Sequence, residues 1–161
     1  MKKTNLEING KFFKEEIKDN ILLVDFLREK LKLTGTHIGC DTSQCGACNV
    51  LVDGKVVKSC SIFVLEVEGS EVTTIEGIAN KDGSLNFIQK AFQNNHGLQC
   101  GFCTPGMIMS IMDLFNVNKN PTDFEIKKQL SGNLCRCTGY NNIVKSVIEA
   151  AKNIEELKKN N

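Results

Sequence analysis

The chain has 161 residues, which fits one domain or two small ones, and its 41% hydrophobic and 24% charged residues are typical of a globular protein. With 20 Lys and Arg against 19 Asp and Glu, the net charge of +1 removes the usual electrostatic basis for binding nucleic acid or an anionic membrane surface. No apolar run approaches the roughly 18 residues of a transmembrane helix, and the charged N-terminus has no apolar signal segment.

Two β-hairpins are predicted in the first half of the chain. The dipeptides Asn9-Gly10 and Asp53-Gly54 favour tight hairpin turns, and short apolar segments flank each of them. The spacing of leucines and Phe26 predicts a helix over 22–33, with Gly35 as its C-terminal cap.

Further short strands are predicted over 64–67 and 71–74. Strands packed on one helix indicate a small α+β unit of about 75 residues.

The second half of the chain is predicted to be helical. Ser84 is the predicted N-cap of a first helix, Thr104 followed by proline begins a second, and Thr122 and Glu125 form a capping box before a third. A regular apolar face over 143–154 predicts the last helix. We therefore expect a four-helix bundle, and we divide the chain into domains 1–77 and 78–161.

Eight cysteines are the unusual feature of the composition. An even number is compatible with disulfides, but without a secretory signal it favours metal or redox chemistry in a reducing compartment, and so a cytoplasmic protein. The chain has two His, one Tyr and no Trp, which leaves few groups for acid–base catalysis.

The first four cysteines lie within the strand-rich half, and their spacing begins C-x4-C-x2-C. This is the plant-type ferredoxin spacing for a [2Fe–2S] cluster. Glycines in such a loop allow a tight wrap, and free backbone N–H groups stabilise an anionic cluster. A zinc knuckle is the alternative, although it typically uses two C-x2-C pairs. The predicted ligands are Cys40, Cys45, Cys48 and Cys60.

The other four cysteines have the spacing C-x2-C, thirty-one residues, then C-x-C. This pattern alone is less specific and also suits zinc. Both pairs precede predicted helices, and the positive end of a helix favours an anionic centre and lowers the pKa of nearby thiols. The predicted ligands of this second site are Cys100, Cys103, Cys135 and Cys137.

Three segments resemble the signatures of one family. Residues 39–48, 99–107 and 132–140 read GCDTSQCGAC, QCGFCTPGM and GNLCRCTGY. They are similar to the iron–sulfur small subunit of the molybdenum hydroxylases, the family of xanthine dehydrogenase, aldehyde oxidoreductase and carbon monoxide dehydrogenase. The resemblance extends from about residue 5 to about residue 151, and all eight cysteines fall on family positions.

The resemblance implies a β-grasp ferredoxin-like domain followed by a four-helix domain, each with one [2Fe–2S] cluster. It implies a large partner subunit with molybdopterin cytosine dinucleotide and a medium partner subunit with FAD. Electrons would pass from molybdenum through the helical-domain cluster and the ferredoxin-domain cluster to FAD. It also implies that Gln99 and Cys137 approach the pterin.

The segment 41–44, Asp-Thr-Ser-Gln, is more similar to the aldehyde, glyceraldehyde and carbon monoxide branch than to the xanthine branch. Asn49, where threonine is common in the family, is a mild departure beside a predicted ligand. A free-standing two-cluster electron carrier is the alternative function, and a zinc-stabilised interaction module is a third.

Overall fold

Five strands form one mixed sheet in the first half of the chain. The computed structural model describes residues 1–159, with side chains to residue 154. The sheet order is β2-β1-β5-β3-β4; β1 and β5 are parallel and the other neighbours are antiparallel. The strands are β1 (Lys2–Ile8), β2 (Lys11–Ile17), β3 (Asn49–Val52), β4 (Lys55–Lys58) and β5 (Glu71–Thr73).

Both predicted hairpins are confirmed. Asn9 and Gly10 have φ of 52° and 75°, and Asp53 and Gly54 have φ of 49° and 77°. Positive φ at both central residues is the turn geometry that matches the twist of the flanking strands. The Asn9 amide also exchanges two hydrogen bonds of 2.9 Å with Thr74, and so fixes the first turn to the segment that follows β5.

The first helix is shorter than predicted. It begins as α1 (Leu23–Asp25), continues as a π-helical turn (Phe26–Lys30), and ends where Lys32 has a φ of 59°. The Arg28 guanidinium donates to the carbonyls of Thr34 (2.8 Å) and Thr36 (2.7 Å) and folds the chain back. The prediction of Gly35 as the cap is therefore wrong; its N–H donates instead to Glu76 Oε1.

The strand predicted over 64–67 is wrong, because this segment is a 3₁₀ turn, Val64–Val67. Both valines are buried, and side chains three residues apart lie on one face of a 3₁₀ turn. The Glu66 carboxylate accepts the Phe63 N–H at 2.7 Å and stabilises the start of the turn. The strand predicted over 71–74 is confirmed as β5.

Four longer helices occupy the second half, so the predicted α+β class is confirmed. Thr122 and Glu125 form the predicted capping box of the third of them. Cys103, not Thr104, is the N-cap of the second. In the part of the chain described here, no helix is both long and apolar enough to cross a membrane. The helices are α2 (Phe87–Asn94), α3 (Thr104–Val117), α4 (Asp123–Leu130) and α5 (Asn141–Lys159).

The N-cap of α2 is Asn86, and the prediction of Ser84 is wrong. Asn86 Oδ1 accepts the Gln89 N–H at 2.9 Å, Gln89 Oε1 accepts the Asn86 N–H at 3.0 Å, and the Asn86 amide donates to the buried Ile78 carbonyl. Ser84 hydrogen-bonds Asp82 and Asn80 in the preceding turn. Asn86 is the cap because its side-chain oxygen accepts a hydrogen bond from a free N–H in the first turn of the helix, whereas the Ser84 hydroxyl accepts none there.

We expect Asn86→Ala to destabilise the protein by about 1 kcal/mol, because a helix N-cap is lost. For a chain of this size the midpoint of thermal unfolding should fall by about 2–4 °C. Ser84→Ala is the matched control and should have a smaller effect, since its hydrogen bonds are exposed. Equal losses in the two variants would contradict the assignment of Asn86 as the cap.

Two clusters of buried apolar side chains organise the fold. One lies between the sheet and α1 and includes Leu6, Phe26 and Val72. The other lies among the four longer helices, and Leu51 of β3 is part of it. Because α3 packs against β3, the loop that precedes β3 comes to lie beside the N-terminus of α3. Both predicted metal-binding segments meet at this contact.

Candidate metal centres

The loop before β3 brings the first two cysteines together. The Cys45 N–H points at Cys40 Sγ at 3.4 Å. Hydrogen bonds from the backbone of Thr42, then from Cys45 and Gln44, lower the pKa of the Cys40 thiol to about 6. Burial raises the pKa of Cys45. The loop therefore already offers to one thiolate the N–H donors that an iron–sulfur cluster requires of its surroundings.

Cys48 and Cys60 form the second pair of this set. Cys48 is buried directly before β3, and Cys60 lies in the 3₁₀ turn Ser59–Ser61 that follows β4. The Ser59 hydroxyl donates to the Cys48 carbonyl at 2.7 Å and so holds the turn against the loop. Burial, with a contribution from the Cys60 thiol, raises the pKa of Cys48 to about 11. The β3–β4 hairpin thus returns Cys60 to the loop beside Cys48.

Lys58 supports the same loop from the end of β4. Its Nζ donates to the carbonyls of Ser43 at 2.6 Å and Gln44 at 3.5 Å, and the Ser43 hydroxyl lies 3.6 Å from Cys60 Sγ. The ammonium group of Lys58 therefore lies against the loop that carries Cys40 and Cys45. A positive charge here favours the more negative, reduced state of a cluster held by these thiols.

We expect Lys58→Met to lower the reduction potential of the first cluster, by on the order of 50 mV for one charge at a half-exposed site. Redox titration followed by electron paramagnetic resonance measures it. Lys55→Met is the matched control, because Lys55 lies on the same strand and is exposed. If both variants shifted the potential alike, Lys58 would have no specific effect on the cluster.

The remaining four cysteines line one cleft of about 260 Å³. Cys100 and Cys137 are exposed, and their sulfurs lie 3.6 Å apart. Cys103 is at the N-cap of α3, where burial, with a contribution from Cys135, raises its thiol pKa to about 12. The two segments of this set are separated by the 31 residues between Cys103 and Cys135, so tertiary packing brings them together.

The two pairs, C-x2-C and C-x-C, meet because α3 and the turn before α5 lie side by side. The cleft that they line also includes Cys45 of the first set.

The turn between Cys137 and α5 stabilises Cys135. The Cys135 N–H donates to the Tyr140 hydroxyl at 2.8 Å, and the Thr138 hydroxyl lies 3.0 Å from Cys135 Sγ. Burial raises the pKa of this thiol, but hydrogen bonds from Thr138 and from the Cys137 backbone outweigh it, so the pKa is lowered overall. Because α5 begins only at Asn141, the prediction that this pair lies directly at a helix N-terminus is wrong.

The arrangement of the thiols fits a two-iron cluster at each site. All eight are free, and they meet two by two: Cys40 with Cys45, Cys48 with Cys60, Cys100 with Cys137, and Cys103 with Cys135. Among the described side chains, no three or more His, Cys, Asp or Glu form a group that could hold a single metal ion. Metal ligation requires thiolates, and a bound cation offsets the desolvation that raises the pKa of the buried ones.

The backbone also joins the two sites directly. The Leu134 N–H, adjacent to Cys135, donates to the Cys45 carbonyl at 2.8 Å. The His37 ring stacks on Phe102 with centroids 4.6 Å apart, and its Nδ1 lies 2.7 Å from the Phe102 carbonyl. The sequence did not identify these contacts or that of Lys58, because each joins residues that are distant in sequence. Thr138 and Tyr140 lie within five residues of Cys135, but cysteine spacing gives no signal for a hydroxyl that supports a ligand.

Comparison with known sequences identifies the class of protein. The profile of the "2Fe-2S iron-sulfur cluster binding domain" family matches residues 6–75, and that of the "[2Fe-2S] binding domain" family matches residues 74–148. The protein is therefore a two-cluster [2Fe–2S] protein, and the zinc alternative is not supported.

Relatives and solved structures define the family more closely. The chain is 43% identical to the caffeine dehydrogenase subunit gamma of Pseudomonas sp. (strain CBB1), over 89% of this chain and 87% of that one. It is also 43% identical to the nicotine 6-hydroxylase small subunit of Paenarthrobacter nicotinovorans, over 91% and 87% of the two chains. Quinoline 2-oxidoreductase from Pseudomonas putida 86 matches with a TM-score of 0.91 and 37% identity, over 96% of each chain.

The chain belongs to the family of [2Fe–2S] small subunits of the molybdenum hydroxylases. The resemblance read from the three cysteine segments is thereby confirmed, and an electron-transfer role follows from the family. The alternative of a free-standing carrier is not favoured.

Proposed function

We propose that Cys40, Cys45, Cys48 and Cys60 hold one [2Fe–2S] cluster and that Cys100, Cys103, Cys135 and Cys137 hold the other. When bound, each cluster accepts and donates one electron. The chain supplies the thiolates, the N–H and hydroxyl donors around them, and the packing that brings the two sites together. The observation that carries this proposal is the cleft that all four thiols of the second set share with Cys45 of the first.

We propose domains 1–77 and 78–161, the first a β-grasp ferredoxin-like domain and the second a four-helix bundle. The two separate apolar clusters support this division, as do the two family profiles, which meet at residues 74–75. Packing of α2 and α4 against α5, and of α3 against α4, supports the bundle.

We propose that the chain is the electron-transfer subunit of a heteromeric molybdenum hydroxylase. A large subunit would hold molybdopterin cytosine dinucleotide, and a medium subunit would hold FAD. Electrons would leave the molybdenum site through the helical domain and reach FAD through the ferredoxin-like domain. The exposure of Cys100 and Cys137 supports this direction, because it leaves the second site open to a partner.

Gln99 and Cys137 are the residues that we propose to contact the pterin. Both are exposed, and Gln99 directly precedes Cys100, whose sulfur lies 3.6 Å from that of Cys137. The amide offers both a donor and an acceptor to a pterin edge, and the ligand sulfur accepts a hydrogen bond.

We expect Gln99→Ala to weaken pterin contact and to leave cluster assembly intact, because the side chain is exposed and is not a ligand. Iron content and the two cluster signals should equal those of the wild type while the activity of the complex falls. Gln93→Ala, an exposed glutamine on α2, is the matched control and should change neither. Loss of iron in Gln99→Ala would contradict the role that we assign.

The substrate is set on the partner subunit, so the assignment to the aldehyde and carbon monoxide branch stays a prediction. We also propose a cytoplasmic location, because all eight cysteines are free thiols and a reducing compartment preserves them.

Purification of the complex tests the proposed assembly. The chain, tagged and expressed with its neighbouring genes, should co-purify with two larger chains that contain molybdenum and flavin. A monomer that carries both clusters and retains neither partner would favour the free-standing carrier.

A further inference from the structure

Three buried polar side chains connect the metal-binding segments across the interface of the two halves. Asn49 Nδ2 donates to Ser110 Oγ at 2.8 Å, Ser110 Oγ donates to Asn133 Oδ1 at 2.8 Å, and Asn133 Nδ2 donates to the Gly46 carbonyl at 3.4 Å. All three side chains are at least 95% buried. The hydroxyl accepts once and donates once, so the hydrogen bonds run in a single direction.

Each member of this network lies close to a proposed iron ligand. Asn49 directly follows Cys48, and Gly46 lies between Cys45 and Cys48. Asn133 is two residues before Cys135. Ser110 belongs to α3, the helix whose N-cap is Cys103. The network therefore connects the ligand loop of the first site to two segments of the second site. These are α3, which begins at Cys103, and the turn that carries Cys135.

The surroundings leave this network little freedom. A Cβ on Gly46 would lie 2.5 Å from the Gly132 carbonyl oxygen and 2.7 Å from Asn133 Nδ2. Asn49 Oδ1 is buried and has no hydrogen-bond partner among the described residues. The side-chain amide of Asn49 therefore depends on the hydrogen bond that its Nδ2 donates to Ser110. Buried polar groups that lose a partner are costly, which makes one arrangement of the network strongly preferred.

We infer that the Asn49–Ser110–Asn133 network is a positioning device that fixes the two cluster sites relative to each other. Ser110 is its central residue, although it contacts no cysteine in the hydrogen bonds described. The inference rests on the proposed ligand sets and adds a role for residues outside them. The Ser110 hydroxyl therefore limits the range of distances between the two clusters.

Ser110→Ala in the holoenzyme tests the inference. In the fully reduced protein both clusters are paramagnetic, and their magnetic interaction depends steeply on their separation. We expect the wild-type protein to show a resolved spin–spin splitting. In Ser110→Ala this splitting should be replaced by a broadened signal, because the two sites of the variant adopt a range of separations. Ser146→Ala is the matched control, since Ser146 is equally buried but donates only to Asn142 of its own helix.

Iron content separates this inference from the proposed function. Wild-type protein with fewer than four iron atoms would overturn the ligand sets and the inference with them. If Ser110→Ala keeps four irons and the wild-type splitting, the inference alone is overturned. If Ser110→Ala loses iron, Asn49→Ala decides, because it breaks only one hydrogen bond: broadening supports the inference, and an unchanged splitting overturns it.

Discussion

Cys103→Ser is expected to lower the turnover of the complex by more than about 100-fold, since even groups that only orient metal ligands typically contribute 10–100-fold. Cys103 is the N-cap of α3 and is half-buried beside Cys135. Its loss should remove the second cluster and stop electrons near their entry into this chain. Substrate should still reduce molybdenum, but the first cluster and FAD should stay oxidised.

Cys45→Ser is expected to stop the same flow one step later. The first cluster should be lost while the second is still reduced by substrate. Rapid-freeze electron paramagnetic resonance distinguishes the variants, because each should retain one different cluster signal. If turnover were unchanged in both variants, electrons would have to reach FAD by a route outside this chain.

Gly106→Ala is expected to destabilise the protein strongly, although it adds only one methyl group. A Cβ at this position would overlap the Gly46 carbonyl oxygen and lie 3.1 Å from Ala47 Cα. Both obstacles are backbone of the loop that carries Cys45 and Cys48, so neither can rotate away. Alanine normally favours a helix over glycine, but here overpacking should cost about 3 kcal/mol.

Thermal unfolding of the holoprotein measures this effect, and a loss of this size should lower the midpoint by about 6–12 °C. Gly132→Ala is the control, because the nearest atom to its new Cβ is Lys58 Nζ at 3.8 Å, the end of a flexible side chain. Equal midpoints for Gly106→Ala and the wild type would show that α3 does not pack against the loop as described.

Local patterns were sufficient to predict the elements whose signals are local. The turns at Asn9-Gly10 and Asp53-Gly54 form as predicted because their residues tolerate positive φ. The Thr122 capping box is likewise complete within four residues. The helix over 22–33 was predicted too long. Arg28 donates hydrogen bonds to the carbonyls of Thr34 and Thr36 and so turns the chain back, and an interaction of this kind leaves no periodic pattern in the sequence.

In the candidate sites, too, the residues with a local sequence signal were predicted and those joined by distant contacts were not. Cysteine spacing predicted the two ligand sets, because within C-x4-C-x2-C, C-x2-C and C-x-C the cysteines recur at short intervals. The network through Ser110 could not be predicted, since its partners are 61 and 23 residues away. One signal was available: Ser110 is a polar residue inside the apolar run of α3, between Met109 and Ile111.

Quantitative iron analysis of anaerobically purified protein, paired with electron paramagnetic resonance of the reduced form, tests the central claim most directly. The account predicts four iron atoms for each chain and two distinct [2Fe–2S] signals. Two iron atoms with a single signal, or zinc in place of iron, would contradict it.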